Sequence, residues 1–198
     1  MGRFFSSFDE AWAAFLARDE PLEDFFAALP EEEAYLTTWL ALPGERVALE
    51  AASMQDELRA LDGLRLTPGH FLHVSLGSHE AELKEVREQL DGFGPFEARF
   101  GPVNCFHDAA VLEVHSERFV DLAQALDSEL DLAYLLPHLS LAYFEGRPQP
   151  EPLREALVPL REREAVTETI SEIHLCVVPI ARGEILGPWQ VAGTIPFE

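Results

Sequence analysis

The sequence predicts an α+β fold built from two similar halves. Predicted strands and helices follow each other in a comparable order in the two halves, and the last two strands are neighbours joined by a turn. The chain contains no glycine-rich loop of the Walker or dinucleotide-binding type. The sequence therefore favours this fold class over a doubly wound parallel sheet.

The first 33 residues are predicted to form a helical extension that packs on the main body. Apolar residues recur at helical spacing up to Leu16, and Pro21 opens a second short apolar segment. An acidic run, Glu31 to Glu33, closes the region as a solvated stretch. We treat residues 1–33 as one unit and residues 34–198 as a second.

Residues 34–95 are predicted to alternate between strands and helices. β-forming residues from Tyr35 to Leu42 stop at a Pro-Gly turn, and apolar residues at helical spacing then run to the Asp-Gly pair at 62–63. A second Pro-Gly turn, at 68–69, separates two further strands, and a helix ends at the Asp-Gly pair at 91–92. The predicted elements are strands 35–42, 64–67 and 70–76 and helices 47–61 and 83–90.

Residues 96–198 repeat this outline. Pro137 precedes and Gly146 follows a segment rich in β-forming residues, and an Arg-Gly turn at 182–183 separates the last two strands. Apolar residues at helical spacing mark two helices between the strands. The predicted elements are strands 96–100, 111–114, 138–144, 170–178 and 189–195 and helices 119–130 and 153–160.

Length and composition describe a globular protein with a strong negative charge. The chain has 198 residues and is 47% hydrophobic, which supports a sizeable buried core. Its 14 basic and 36 acidic residues give a formal net charge of −22. Because affinity for nucleic acid comes largely from Lys and Arg that neutralise phosphates, a groove for long nucleic acid is not expected. The net charge does not exclude a small anionic ligand in a local pocket.

Cysteine usage and hydropathy indicate a reduced, cytoplasmic protein. Cys105 and Cys176 lack the number and spacing of a disulfide framework and are expected as buried free thiols. No apolar run reaches the ~18 residues of a membrane span, and Asp9 and Glu10 interrupt the N-terminal apolar stretch. We expect a monomer with no membrane association and no cofactor.

The same six-residue pattern occurs once in each half, inside a predicted strand. It reads LHVSLG at residues 72–77 and PHLSLA at residues 137–142. Because residues i and i+2 of a strand point to the same face, each histidine shares a face with the serine that follows it: His73 with Ser75, and His138 with Ser140. If a twofold axis relates the two halves, the two pairs face each other across a groove.

Two histidines facing each other suit in-line attack at phosphorus. This reaction needs a base near the incoming oxygen and an acid near the leaving oxygen. With an ordinary pKa of about 6.5, one imidazole can be neutral while the other is protonated near neutral pH. The serine hydroxyls can donate hydrogen bonds to the non-bridging phosphate oxygens, and the chemistry then requires no metal ion.

These features resemble the 2H phosphoesterase superfamily, which includes the 2′-5′ RNA ligase-like proteins and the 2′,3′-cyclic nucleotide phosphodiesterases. The resemblance rests on the doubled His-x-Ser motif, the opening strand at residues 39–43 (WLALP) and the closing region at residues 173–183, and it covers roughly residues 34–198. It implies a bilobal fold in which two lobes related by a pseudo-twofold axis each contribute an antiparallel sheet to a central groove, with the helices outside. One lobe would comprise residues 34–95 with the C-terminal strands, and the other residues 96–165.

The resemblance also implies roles for the motif residues. His73 and His138 would be the catalytic histidines, and Ser75 and Ser140 would bind the phosphate without a metal ion. The superfamily more often has Thr at the two serine positions, which keeps the hydroxyl but leaves the subfamily open. The implied substrates carry a 2′,3′-cyclic phosphate or a 2′-5′ linkage.

Further candidate substrate-binding residues are aromatic or basic and lie near the motifs or the late turn: Phe71, Tyr143, Arg65 and Arg182. The aromatic pair could stack on a base or belong to the core, and the arginines could steer a phosphate or be solvated. His70 and His73 form a His-x-x-His pattern, but three-residue spacing in a strand points the rings to opposite faces. No metal site is therefore predicted.

The sequence thus predicts a metal-independent phosphodiesterase. It would hydrolyse 2′,3′-cyclic phosphate or 2′-5′ linked nucleotides, or short RNA ends, by two-histidine general acid and base catalysis. The alternative is a nucleotide-binding sensor that uses the same groove without cleavage. A third interpretation is an interaction protein that works through the Phe-rich first 33 residues.

Overall fold

The computed structural model describes residues 5–77, 83–126 and 135–198. The described helices are α1 (Phe8–Leu16), α2 (Glu45–Leu58), α3 (Leu83–Gln89), α4 (Glu117–Leu126) and α5 (Pro150–Arg161), with short 3-10 turns at Phe26–Ala28 and Gly69–Phe71. The described strands are β1 (Tyr35–Ala41), β2 (Leu64–Leu66), β3 (Val74–Gly77), β4 (Phe96–Cys105), β5 (Ala109–His115), β6 (His138–Phe144), β7 (Val166–Ile170), β8 (Glu172–Pro179) and β9 (Gln190–Pro196). None of these helices combines the length and apolar character that crossing a membrane requires.

The described strands form one antiparallel sheet. Their order is β7-β4-β5-β6-β3-β1-β8-β9, and β2 pairs with β6 beside this path. The order has four strands on each side of the boundary between β6 and β3, so the two strands that carry the repeated motif lie next to each other at its centre. The predicted α+β class with antiparallel strands is confirmed. Pairing of β3 with β6 joins the two predicted sheets into one.

Helices from each half pack on strands of the other half. α2 comes from the first half and contacts β6 and β7, whereas α4 comes from the second half and contacts β3. Trp39, Val74 and Leu139 are all buried in one main core together with apolar residues of these helices. Because this core runs under both halves, it holds the two motif strands in a fixed relation.

The N-terminal residues are part of the same packed body. The Ser7 side chain caps α1 by accepting a hydrogen bond from the Glu10 amide at 3.1 Å. Phe15 and Leu22 are 3% and 1% exposed and belong to the main core. Burial of these two side chains stabilises the docking of the extension by roughly 1.5–3 kcal/mol each.

The first motif strand is shorter than the sequence predicts. A 3-10 turn at Gly69–Phe71 replaces the start of the predicted strand 70–76, and β3 begins only at Val74. The turn forms because the Phe71 amide donates to the Pro68 carbonyl at 2.8 Å, which curls the backbone after Pro68-Gly69. His73 therefore precedes its strand, whereas His138 is the first residue of β6.

The predicted strand 170–178 is two strands in the structure. β7 ends at Ile170 and pairs with β4, while β8 begins at Glu172 and pairs with β1 on the other side of the sheet. The Ser171 carbonyl between them accepts a hydrogen bond from the Phe197 amide at 2.8 Å. The chain crosses between the two halves at this residue. The end of the predicted helix 119–130 lies outside the described residues.

Candidate functional site

The two His-x-Ser motifs meet on one face of the central strand pair. β3 and β6 run antiparallel with Val74 opposite Leu139. Continuing this register by one residue on each side sets the motif residues opposite each other in pairs: His73 with Ser140, and Ser75 with His138. Val74 and Leu139 point into the main core, so the four polar side chains project from the opposite face. We call this the groove face.

This register makes the two histidines diagonal neighbours. Diagonal residues on an antiparallel pair are typically about 7–8 Å apart, close enough for long side chains to bracket one small group. His73 and His138 are both half-buried and interact electrostatically. The arrangement can hold a single phosphate between two imidazoles, with a serine hydroxyl beside each ring.

Both imidazoles are oriented by the same local hydrogen bond. Nδ1 of His73 lies 2.7 Å from the carbonyl oxygen of Phe71, and Nδ1 of His138 lies 2.8 Å from that of Leu136. A carbonyl oxygen can only accept, so Nδ1 of each ring carries the proton. Nε2 of each neutral ring is then the nitrogen that can accept a proton or bind a ligand.

Burial disfavours the protonated form of both histidines when no anion lies beside them. Burial is the main cause that lowers the pKa of His73 to about 4, with a smaller contribution from His138. Burial also lowers the pKa of His138, while the hydrogen bond to Leu136 and the charge of Asp108 act in the opposite direction. A phosphate anion near the rings would favour the protonated form of one of them.

Aromatic rings support the two histidines from the sides. The His73 ring contacts Phe71 and Trp189 edge-on, with ring centroids 5.3 and 5.1 Å away. The His138 ring contacts Phe106 in the same way, at 4.8 Å. Phe71 is only 2% exposed and packs in the apolar cluster around Leu40. Phe71 therefore serves as support for His73 rather than as an open stacking surface.

Each motif strand contains a β-bulge at the leucine that follows the serine. Consecutive residues of β1 pair with Gly77 and Ser75, which leaves Leu76 as the extra residue of β3. Consecutive residues of β5 pair with Ala142 and Ser140, which leaves Leu141 as the extra residue of β6. The repeated His-x-Ser-Leu sequence thus corresponds to a repeated backbone shape.

The bulge at Leu141 brings Tyr143 to the groove face. Residues three apart in a regular strand point to opposite faces, but the extra residue reverses the alternation after Ser140. The Ser140 hydroxyl is hydrogen-bonded to the phenol of Tyr143. Burial is the main cause that raises the pKa of this phenol. The structure therefore brings together five of the candidate residues that the sequence identified: His73, Ser75, His138, Ser140 and Tyr143.

The two candidate arginines bind protein groups. Arg65 forms an ion pair with Glu145, and its guanidinium lies 4.0 Å from the ring centre of Phe26. Arg182 donates from Nε to the carbonyl oxygen of Phe26 at 2.8 Å and lies 3.4 Å from Glu31. The structure directs both guanidinium groups toward the N-terminal extension and its neighbours.

His70 lies in the 3-10 turn that precedes His73. It is exposed, and its Nε2 lies 3.2 Å from the carbonyl oxygen of Leu186. Within residues 5–77, 83–126 and 135–198, no three His, Cys, Asp or Glu side chains come together as a metal site needs.

Sequence reasoning missed several residues that surround the histidines. Asp108 is half-buried in the turn between β4 and β5 and interacts electrostatically with His138 and Tyr143. Glu113 lies opposite His138 in β5, and its buried carboxylate accepts from Arg161 at 2.7 Å. Nothing in the local sequence marks these acidic residues among the chain's many others. Only the register of β5 against β6 brings them to the site.

The structure resembles solved proteins over most of their lengths. It aligns with TT0787 of Thermus thermophilus at 18% identity and a TM-score of 0.54, covering 81% of this chain and 97% of that one. It aligns with Escherichia coli LigT in complex with 3′-AMP at 13% identity and a TM-score of 0.57, covering 84% and 99%. ATU0111 of Agrobacterium tumefaciens, a conserved protein of unknown function, matches at 12% identity and a TM-score of 0.58, covering 94% and 97%.

At these identities the structural likeness shows a shared fold. Among curated proteins, none matches this chain in sequence. The sequence model of the 2′-5′ RNA ligase superfamily matches residues 56–178, which is more than half of the chain and includes both His-x-Ser motifs. The chain therefore belongs to the 2′-5′ RNA ligase superfamily, a group of 2H phosphoesterases.

Proposed function

We propose that this protein is a metal-independent phosphodiesterase that hydrolyses 2′,3′-cyclic phosphate or 2′-5′ linked nucleotides, or short RNA ends. The observation that carries the proposal is the pairing of Val74 with Leu139. This pairing puts both His-x-Ser motifs on one face of the sheet, with the two histidines as diagonal neighbours. Membership of the superfamily supports it. Structures of E. coli LigT in complex with 3′-AMP and with phosphate give a precedent for a small phosphate ligand in this fold.

The mechanism needs one imidazole on each side of the phosphorus. On a cyclic phosphate, Nε2 of His73 takes a proton from a water molecule while the water oxygen forms a bond to phosphorus. The bond from phosphorus to one ribose oxygen breaks, and Nε2 of His138 donates its proton to that oxygen. Ser75 and Ser140 donate hydrogen bonds to the non-bridging oxygens, where negative charge develops.

We assign the acid role to His138 because Asp108 lies near it. The Asp108 charge raises the pKa of His138, whereas His138 lowers that of His73, so the proton is better held on His138. His73, with the pKa lowered to about 4, is suited to the base role because it is neutral and ready to accept.

The net negative charge of the chain supports a small substrate, and its two buried cysteines support a reducing compartment. A net charge of −22 disfavours long nucleic acid, and both candidate arginines bind protein groups. Cys105 and Cys176 are buried free thiols, and burial raises the pKa of each. We propose that the protein acts as a cytoplasmic monomer.

The test is a product assay on a panel of nucleoside 2′,3′-cyclic phosphates and 2′-5′ dinucleotides with EDTA present. We expect turnover by the wild type and none by His73→Ala or His138→Ala. His70→Gln is the matched control, because this exposed histidine lies three residues from His73 and should keep full activity. Activity retained in both alanine variants, or lost on chelation, would contradict the mechanism.

A nucleotide sensor that does not cleave is the second candidate. It is favoured by the burial that lowers the pKa of both histidines, because a neutral ring has no proton on Nε2 to give to a leaving group, while the Ser75 and Ser140 hydroxyls can still donate to a bound anion. Isothermal titration with cyclic nucleotides and nucleoside monophosphates, run beside the product assay, separates the two functions. Binding without any product would support the sensor.

A further inference from the structure

Residues 22–30 form a strap that is fastened to the second half of the protein at its start. The Leu22 amide donates to the Pro148 carbonyl at 2.9 Å, and the Phe25 amide donates to the Phe144 carbonyl at 3.0 Å. The Asp24 carboxylate accepts from the Gly146 amide at 2.9 Å. These contacts lie at the end of β6, the strand that carries His138 and Ser140.

The other end of the strap is fastened by Arg182, which follows β8. The Arg182 side chain donates to the carbonyl oxygens of Phe26 and Ala27 at 2.8 and 3.1 Å. Its backbone amide donates to the Pro30 carbonyl at 2.9 Å. The strap therefore spans from β6 to the segment after β8, which belong to opposite sides of the sheet.

Two phenylalanines of the strap cover the groove face next to Tyr143. The Phe25 ring stacks on the Tyr143 ring with centroids 4.2 Å apart. Phe26 is 3% exposed and packs in the cluster that contains Leu40 and Phe71, the support of His73. Since Tyr143 is hydrogen-bonded to Ser140, only the Tyr143 side chain lies between the Phe25 ring and the proposed phosphate-binding serine.

The two candidate arginines beside the strap are already paired with carboxylates. Glu23, Glu31 and Glu145 are exposed. Arg65 pairs with Glu145 and Arg182 lies 3.4 Å from Glu31, so these two arginines add no net positive charge beside the strap. A second or third phosphate of an oligonucleotide would therefore gain little attraction from these two guanidinium groups.

We propose that the strap, and Phe25 in particular, determines substrate length by closing the Tyr143 end of the groove. The inference rests on the proposed function and narrows it: the site takes a nucleoside 2′,3′-cyclic phosphate in preference to the cyclic phosphate end of an oligonucleotide. Phe25 fills the Tyr143 ring face that a further base would need for stacking.

The test compares kcat/KM for adenosine 2′,3′-cyclic phosphate with that for a trinucleotide ending in the same group. We expect the wild type to prefer the mononucleotide by at least about tenfold. Phe25→Ala should raise kcat/KM for the trinucleotide roughly tenfold while leaving the mononucleotide within about threefold of wild type. Phe25→Tyr keeps a ring on Tyr143 and should behave as wild type.

A second variant acts on the strap without touching the Tyr143 ring. Arg182→Gln removes the charged anchor of Phe26 and Ala27 and should shift the preference toward the trinucleotide in the same direction as Phe25→Ala. Equal use of the two substrates by the wild type would overturn the inference. So would an unchanged ratio in both variants whose circular dichroism shows a native fold.

Binding measurements separate this inference from the proposed function. Isothermal titration with 3′-AMP and with a trinucleotide 3′-phosphate needs no turnover. If the wild type cleaves neither cyclic substrate, the proposed hydrolysis fails, while the ratio of the two dissociation constants still reports on the strap. Equal affinity for the two ligands in the wild type would contradict the closed groove.

Discussion

The Gln55 side-chain amide donates a hydrogen bond of 2.8 Å to the carbonyl oxygen of Leu141, the bulged residue of β6. The same amide donates to the Thr67 carbonyl at 2.7 Å. Gln55 lies on α2 and is only 8% exposed. A helix of the first half thus fixes the irregular backbone that places Ser140 and Tyr143 on the same face. Thr38 has a comparable contact in the first half, donating to the Gly77 carbonyl beside the bulge of β3 at 2.9 Å.

Replacing Gln55 with Met should destabilise the protein and misplace the phosphate-binding serine. The change leaves a buried carbonyl at Thr67 without this donor, which typically costs about 1–3 kcal/mol. We expect a lower free energy of unfolding in urea, and a loss of kcat/KM for a cyclic nucleotide. Gln124→Met is the matched control, because Gln124 is exposed on α4 and should change neither quantity. Unchanged stability and activity in Gln55→Met would show that the bulge does not need this contact.

Removing either motif serine should slow turnover less than removing a histidine. A lost hydrogen bond to a charged phosphate oxygen costs about 1.5–3 kcal/mol, or roughly 10- to 150-fold in kcat/KM. Ser140→Ala should also raise KM, because Ser140 is buried and hydrogen-bonded to Tyr143. Ser75 is exposed, so we expect a smaller change of KM in Ser75→Ala. Threonine keeps the hydroxyl, so Ser140→Thr and Ser75→Thr should recover most of the activity. Full activity in both alanine variants would remove the serines from the phosphate site.

Stability should fall as the pH drops below the ordinary pKa of histidine. The fold lowers the pKa of His73 from 6.5 to about 4, so between these values the unfolded chain binds more protons than the folded one. The free energy of unfolding therefore decreases with decreasing pH in this window, and the contribution is fully present above pH 6.5. One pKa unit corresponds to about 1.4 kcal/mol, so the loss by about pH 5 is about 2 kcal/mol.

Urea denaturation at about pH 7.5 and about pH 5 measures this effect in the wild type and in His73→Gln. The other titrating groups are common to the two proteins. The change in unfolding free energy between the two pH values, compared between wild type and variant, therefore isolates the contribution of His73. We expect the variant to lose less stability than the wild type on acidification. An identical loss in the two proteins would mean that the fold does not hold His73 neutral.

Asp108 should control the protonation of His138. Its negative charge raises the pKa of His138, so Asp108→Asn should lower that pKa. If His138 is the general acid, activity declines once it loses its proton, and the alkaline limb of the kcat/KM profile should move to lower pH. Asp121→Asn changes an exposed carboxylate on α4 and serves as the control. A shift of the acidic limb instead would exchange the roles of the two histidines.

Much of the fold could be predicted because hydrophobic spacing and turn residues are local signals. The strand at Tyr35–Ala41 and the helix at Glu45–Leu58 lie close to their predicted places. Two strands depart from their predicted bounds. The strand expected at 70–76 begins instead with a 3-10 turn, in which the Phe71 amide donates to the Pro68 carbonyl. The strand expected at 170–178 is interrupted at Ser171, because its two parts pair on opposite sides of the sheet.

The sequence by itself determined the pair of His-x-Ser motifs and the α+β class, because residue identity and the two-residue period of a strand are properties of short segments. Only the tertiary structure decided that the two motifs share one face, that bulges at Leu76 and Leu141 follow them, and that Phe25 lies on Tyr143. Each of these depends on register between segments far apart in the chain. Register is set by which apolar side chains fill the common core, and no local pattern encodes it.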